Sequence, residues 1–331
     1  MSKGHKSLRF DLVIIGHLTV DQIEIGSQTR YGMGGPPAYA MVAPALGMKH
    51  AAIISRIGED FPTEYLHILR SSGLHLSGIL PTPTTTLFIN RYDATGNRTQ
   101  QAPKVAEEIR VEDIPESHWN TKWMLLSPVL QEVDSRIISE AHHKGIKVLV
   151  DVQGFLRNRV SVQQPDIIPC RWEMFPEIAT CIDVLKADAS EICQLTQQTS
   201  IQAAAHFVQD AGCPTALITH GQRGSLIYLE NSLHEVPAIP SQTVVDFTGS
   251  GDVFSVSFLF ELERTGRPLW SAFFASTAAS FNIETLGPVD FPNAESVSQR
   301  LQRFLQLPGN REYLKLVLEE PGLSPCPVFL E

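Results

Sequence analysis

Positive charge is in short supply: 26 Lys and Arg stand against 36 Asp and Glu, a formal net charge of −10. Nucleic acids and acidic membrane surfaces are held by clustered Lys and Arg that release counterions, so partners of those two classes are not expected. An acidic chain can still hold a nucleotide where backbone dipoles or a metal offset the repulsion. Cysteine is scarce too. Cys170, Cys181, Cys193, Cys213 and Cys326 form no C-x-x-C pair and are odd in number. With no signal peptide at the start, they are expected to be reduced thiols in a cytoplasm. No apolar run approaches the length of a bilayer span, and there are no internal repeats or low-complexity tracts. The eleven histidines include one adjacent pair, His142-His143, but no metal-ligand spacing, and they read as core or surface residues.

Two nucleotide-binding fingerprints are also missing. Neither G-x-G-x-x-G nor G-x-x-x-x-G-K-[ST] occurs. A dinucleotide oxidoreductase therefore loses its main support. After the first apolar stretch, Asp11 to Ile15, stands Gly16-His17-Leu18-Thr19-Val20-Asp21 instead.

What is present is a strand–helix alternation. The pattern predicts strands over 11–16, 51–57, 123–127, 147–152, 184–186 and 216–219. Helices are predicted over 38–46, 62–72, 133–144, 190–196 and 200–211, and from 252, 269 and 294 onward. Ser225–Leu229 and Leu233–Val236 read as a closing antiparallel pair. This rhythm gives an α/β fold with a mostly parallel sheet covered by helices on both faces. Two half-polar extended stretches interrupt it, near 18–33 and 84–101, the second turned back at 93–98. They suggest a small sheet lying over a single larger domain as a lid. No linker divides residues 1–331.

The chemistry concentrates in Asp246-Phe247-Thr248-Gly249-Ser250-Gly251-Asp252, which runs into an apolar helix. A glycine turn opening a helix presents unpaired N–H groups and the positive end of the dipole, which suits a phosphate. Asp252 puts a carboxylate where that phosphate would sit. The plain alternative is a turn with Asp252 as a helix cap, and the stretch alone leaves both open.

Three further features keep it company: Gly16 to Asp21, Gly34-Gly35 followed by Gly58-Glu59-Asp60, and Lys186-Ala187-Asp188-Ala189-Ser190-Glu191 followed by Thr219-His220-Gly221-Gln222-Arg223-Gly224. In this order and spacing, from about residue 11 to 305, the chain resembles the ribokinase-like (PfkB) carbohydrate kinases, whose late motif is D-T-x-G-A-G-D. Within that family, Val150 to Arg157 and Leu185 to Asp188 look most like the plant inositol kinase branch.

The resemblance implies a three-layer ribokinase-like fold and an ATP-dependent kinase for a hydroxyl of a polyol, sugar or nucleoside, with an inositol-like polyol favoured. It makes Asp252 the catalytic base and the N–H groups of Gly249, Ser250, Gly251 and Asp252 an anion hole. Asp21, Gly34, Gly35 and Tyr39 fall at substrate-binding positions. Tyr39 and Thr19 replace asparagines of the sugar kinases, which argues against ribose itself. Asp188, Glu191, Thr219, Gly221 and Gly224 fall at cofactor-binding positions, and Ser276 to Ser280 would flank the adenine. Glu191 would order water around Mg²⁺. Asp188 replaces the family's asparagine, as either a nearer metal ligand or a helix cap. Asp246 and Thr248, with the backbone near Gly287, match a site that holds a monovalent cation such as K⁺ in some members. A small-molecule substrate is the expected partner, and the chain is expected to be a monomer or a homodimer paired through the lid. The reading from a different class is a non-catalytic relative that binds nucleotide or sugar as a regulatory subunit, motivated by positions 39 and 188.

Overall fold

The computed structural model describes residues 8–92 and 98–322. Most of the turn expected at 93–98 lies outside them, as does Cys326. The strands are β1 (Phe10–Ile15), β2 (Thr19–Ile25), β3 (Gln28–Gly34), β4 (Ala51–Ile57), β5 (His75–Pro81), β6 (Thr86–Tyr92), β7 (Arg98–Lys104), β8 (Thr121–Leu126), β9 (Lys147–Asp151), β10 (Arg157–Arg159), β11 (Ile167–Pro169), β12 (Val184–Asp188), β13 (Thr215–Thr219), β14 (Ser225–Leu229) and β15 (Ser232–Val236). The helices are α1 (Pro36–Tyr39), α2 (Val42–Leu46), α3 (Thr63–Ser71), α4 (Arg136–His143), α5 (Phe175–Ile178), α6 (Ala189–Thr196), α7 (Ile201–Asp210), α8 (Ser250–Thr265), α9 (Pro268–Asn282), α10 (Ala294–Leu305) and α11 (Arg311–Glu319).

Nine strands form one sheet in the order β15-β14-β13-β12-β9-β8-β1-β4-β5. All neighbours from β13 to β5 run parallel, and β14 and β15 close one edge antiparallel. Alternation along each strand sorts side chains between two cores. Leu12, Ile14, Ile53, Leu125 and Leu149 face α8, α9 and α10. Val13, Ile15, Ile54, Met124 and Val150 face α4, α6 and α7. Strands buried on both faces read as near-continuous apolar runs, which is why they were legible in the sequence. Among the described residues, no helix is long and apolar enough to cross a membrane.

The second sheet has four strands in the order β3-β2-β6-β7. The stretch 20–31 is not one strand, as the alternation predicts, but a hairpin closed through Gly26 at φ 59°. A two-residue turn keeps the period of two, so the pattern runs through it unbroken. The predicted helix 38–46 is two short helices, α1 and α2. Pro44 has no N–H to offer Ala40 and its ring would crowd that carbonyl; restarting the helix at Val42 places Pro44 in a first turn, where it costs little. Edge strand β5, the short pair β10–β11 and helix α11 were not predicted.

The sheets are joined at the carboxyl end of β1. Glu132, 3% exposed, accepts the backbone N–H groups of His17 (3.0 Å), Val129 (2.9 Å) and Leu130 (2.7 Å). The fully buried His17 ring contacts the Glu107 carbonyl through Nε2 (3.0 Å) and the Thr86 hydroxyl through Nδ1 (2.8 Å). Burial holds His17 below its ordinary pKa and so neutral. A carbonyl only accepts, so Nε2 donates and Nδ1 accepts from Thr86, the first residue of β6. Replacing Glu132 with Ala strands three buried N–H groups. Glu132→Ala is expected to lower unfolding stability by roughly 3 to 5 kcal/mol, read as a lower urea midpoint at unchanged slope.

Candidate active site

The carboxyl ends of parallel strands are where ligands collect in such sheets. β9 ends at Asp151, β12 at Asp188 and β13 at Thr219, and β1 leads into Gly16. Helix α8 starts above them. Its N-cap, Gly249, has φ 74°, and a side chain there would run into the ring of Tyr39. Only glycine satisfies both conditions. The N–H groups of Gly251 and Asp252 fall in the first turn of a 16-residue helix, where no intrahelical acceptor is available. The Ser250 N–H already donates to the Phe247 carbonyl at 3.2 Å, so Ser250 contributes least to the expected anion hole.

Asp252 projects from that turn, partly buried, with Gln153 Nε2 at 3.5 Å. Burial, then the charge of Asp151, pushes its carboxyl from the ordinary 3.8 up to about 7, while Lys186 and Arg157 pull the other way. A carboxylate balanced near neutrality suits a proton acceptor.

Beneath it lies a charge cluster that sequence reasoning did not single out. Lys186 Nζ donates to Asp151 Oδ2 at 2.7 Å, and the two side chains are 6% and 0% exposed. Burial opposes the Lys186 charge, but Asp151, Glu191 and Asp252 outweigh it and hold its pKa above the ordinary value. Arg157 Nη2 donates to Glu191 Oε1 at 3.0 Å. A signal was there: a lysine inside an apolar strand, Val184 to Ala187, needs a buried carboxylate partner.

Glu191 and Asp188 share a reciprocal cap. Glu191 Oε2 accepts the Asp188 N–H (2.8 Å), while Asp188 Oδ1 accepts the N–H groups of Ser190 and Glu191 (both 2.7 Å) and the Ser190 hydroxyl. Asp188 is therefore committed as the cap of α6. Among the described residues no group of three or more His, Cys, Asp or Glu could hold a metal. This donor set fits Mg²⁺ carried by phosphates and water rather than a protein cage. Asp246 Oδ1 accepts from the Thr248 N–H (2.9 Å) and hydroxyl (2.7 Å), and Asn282 Nδ2 donates to the Thr248 carbonyl (2.9 Å). Asn282 Oδ1 is buried without a hydrogen-bond partner, an orphaned oxygen that fits a monovalent cation.

On one side of Gly251 opens a cavity of about 480 Å³. Thr219, Gly221 and Gly224 line it together with Ser250, Gly251, Ser276 and Ser280, and its apolar wall is Ile239, Val244, Phe247 and Ile283. On the other side stand Asp21, Gly34, Gly35 and Tyr39. Thr19 Oγ1 donates to Asp21 Oδ1 at 2.7 Å, so Thr19 orients that carboxylate. A methyl group on Gly34 would overlap Asp21 and Thr19, and one on Gly35 would overlap the His17 carbonyl. Burial, then Asp21, Asp252 and Asp246, raise the pKa of the Tyr39 phenol and keep it neutral.

Transfer of a phosphoryl group to a hydroxyl asks a protein mostly to position groups and offset charge. A carboxylate in the first turn of a helix, with a cleft of about 480 Å³ beside that turn, suits such a task.

Comparison with known proteins agrees. The model of the pfkB family carbohydrate kinases matches residues 6–294, and the chain belongs to that family. It is 30% identical to a cytidine kinase of Thermococcus kodakarensis over 264 residues, 78% of this chain and 90% of that one. It is 26% identical to an aminoimidazole riboside kinase of Salmonella typhimurium, over 76% and 80% of the two chains. Among solved structures, Arabidopsis thaliana ribokinase complexed with ribose and ATP superposes with a TM-score of 0.73 at 20% identity, covering 89% of this chain and 99% of that one. A pyrophosphate-dependent kinase of the ribokinase family complexed with a pyrophosphate analog and myo-inositol does so at 0.73 and 21%, covering 87% and 99%. The fold is ribokinase-like.

The raised Asp252 pKa has a cost in stability. Between about pH 4 and 7 the folded protein keeps a proton that the unfolded chain has released, so stability falls as pH rises through that window. Asp252→Asn removes that loss. The variant is expected to melt at a higher temperature than wild type at pH 8 and at nearly the same temperature at pH 4, by calorimetry.

Proposed function

We propose that the chain transfers the γ-phosphate of ATP to a hydroxyl of a nucleoside, sugar or cyclic polyol, with Asp252 as the general base. One observation carries the reading: a carboxylate balanced near pH 7 stands in the first turn of α8, between the 480 Å³ cleft and the Asp21–Tyr39 corner. ATP supplies the phosphoryl group, and Mg²⁺ offsets its charge. Asp252 accepts the acceptor's proton. The N–H groups of Gly249, Gly251 and Asp252, with a lesser share from Ser250, face the developing negative charge. Glu191 orders water around the metal. The apolar wall of Ile239, Val244, Phe247 and Ile283 supports a nucleotide donor, because pyrophosphate would leave that surface bare. Asp246 and Thr248, with Asn282, are the proposed K⁺ ligands.

On the acceptor side, Asp21 takes hydrogen bonds from two neighbouring hydroxyls, and Tyr39 closes the pocket with a neutral ring. Two acceptor classes have separate support. The identity to a cytidine kinase favours a nucleoside. The aromatic residue at position 39, where the inositol kinase branch also carries one, favours an inositol-like polyol.

Release of ADP from Mg·ATP is to be measured with a panel of nucleosides, ribosides, hexoses and inositols. Turnover is expected with one acceptor class. Asp252→Asn is expected to lower kcat about 10²- to 10⁴-fold with little change in KM for ATP. Folded protein that releases no ADP with any acceptor, or an Asp252→Asn variant as active as wild type, would sink the proposal. Turnover limited to nucleosides would discard the polyol reading, and the reverse result the nucleoside one. At saturating acceptor, the kcat/KM for ATP is expected to fall tenfold per pH unit below about 7, the direction set by loss of the ionised base.

A further inference from the structure

We propose that Lys186 is a positioning residue of the phosphoryl-transfer site: its ammonium, seated beneath Gly251 and paired to Asp151, favours the carboxylate form of Asp252 and supports the first turn of α8. The proposal rests on the reading of Asp252 as the base.

The placement follows from strand geometry. Leu185 and Ala187 of β12 point into the core under α6 and α7. Val184 points the opposite way, toward α8 and α9, and Lys186 shares its face. An apolar residue would be expected at a position only 5% exposed, because a buried charge is costly even when paired. The ammonium instead reaches the anion-binding turn. A methyl group on Gly251 would come within 2.8 Å of Lys186 Nζ, closer than a side chain can approach without moving it. The glycine at 251 and the lysine at 186, 65 positions apart, thus meet at this turn, and a side chain at 251 would have to displace the ammonium.

Charges reach this point from every surrounding element. Asp252 comes from α8, Asp151 from the end of β9 and Glu191 from α6, with Arg157 of β10 on the far side of Glu191. Asp21 of β2 and Asp246 act together with Asp252 on the Tyr39 phenol. Asp151 and Asp252 are like charges that repel, and Lys186 is the cation that pairs with the first and acts on the second. Without the ammonium, a neutral-pH protein would protonate Asp252 and lose its proton acceptor. A lysine present only for packing would have no such effect on a neighbouring carboxylate.

The two partners make opposite demands on Asp252, which gives the test its sign. Full-length protein labelled with ¹³C-aspartate is to be titrated by NMR, the Asp252 carboxyl being the signal absent from Asp252→Asn. Lys186→Met is expected to move its midpoint upward by about one pH unit or more, and Asp151→Asn downward. The acid limb of the pH–kcat profile is expected to move in the same directions, while KM for ATP changes less than kcat. An unmoved midpoint in Lys186→Met, or shifts of one sign in both variants, would overturn the proposal. Should Lys186→Met fail to fold, Asp151→Asn decides: a downward shift supports it, and no shift or an upward one overturns it. The carboxyl titration needs no acceptor. If Asp252→Asn kept full turnover, the assignment of the base would fail while the coupling to Lys186 was still measured.

Discussion

The Tyr39 ring fills the space beside Gly249 where a side chain would otherwise lie, and this contact sets where α8 begins. A helix that starts one residue earlier or later would turn its free N–H groups away from the strand ends and carry Asp252 with them. Tyr39 itself is fixed by α1, which the Gly34-Gly35 break brings back over β1. The proposed acceptor corner and the first turn of α8 are thereby held at one distance by a single buried ring. That suits a reaction in which the protein's contribution is mainly placement.

Under the turn, the protein keeps a concentration of charge that does its stability no good. Asp151, Lys186 and Glu191 are all buried, and burial with the charge of Asp151 holds the Asp252 carboxyl above its ordinary pKa. An apolar replacement of comparable volume would often be as stable or more so. The capping box of Asp188 and Glu191 reduces the cost, since the same carboxylate that faces the cluster also satisfies a helix start. At the joint between the two sheets, by contrast, the buried Glu132 and His17 are closely satisfied.

Much of this was legible before any coordinates. The double-faced strands announced themselves as apolar runs, and the glycine turn before an apolar helix marked the start of α8. Asp188 was readable as a cap, because Asp followed by Glu three positions later is a helix-start pattern. Other features were hidden for physical reasons. The Lys186–Asp151 pair joins residues 35 apart on neighbouring strands, and local patterning carries no trace of such a pairing. Thr19 was weighed as a missing amide, whereas its hydroxyl orients Asp21. The hairpin at Gly26 was masked by an alternation that survives a two-residue turn. Nothing local in the sequence marks Glu132, whose task comes from the three N–H groups that the fold gathers around it.

The two sheets are interleaved along the chain. It passes between them four times, from β1 to β2, β3 to β4, β5 to β6 and β7 to β8. The central pairing of the small sheet, β2 with β6, is parallel and joins strands separated by the whole of α1 to β5. The small sheet is therefore no module that could be cut out and grafted from a relative with two splices. Recombination that exchanges one hairpin without the other would break the parallel seam. If the small sheet sets acceptor preference as proposed, that preference has to evolve by substitution in place rather than by exchange of the whole sheet.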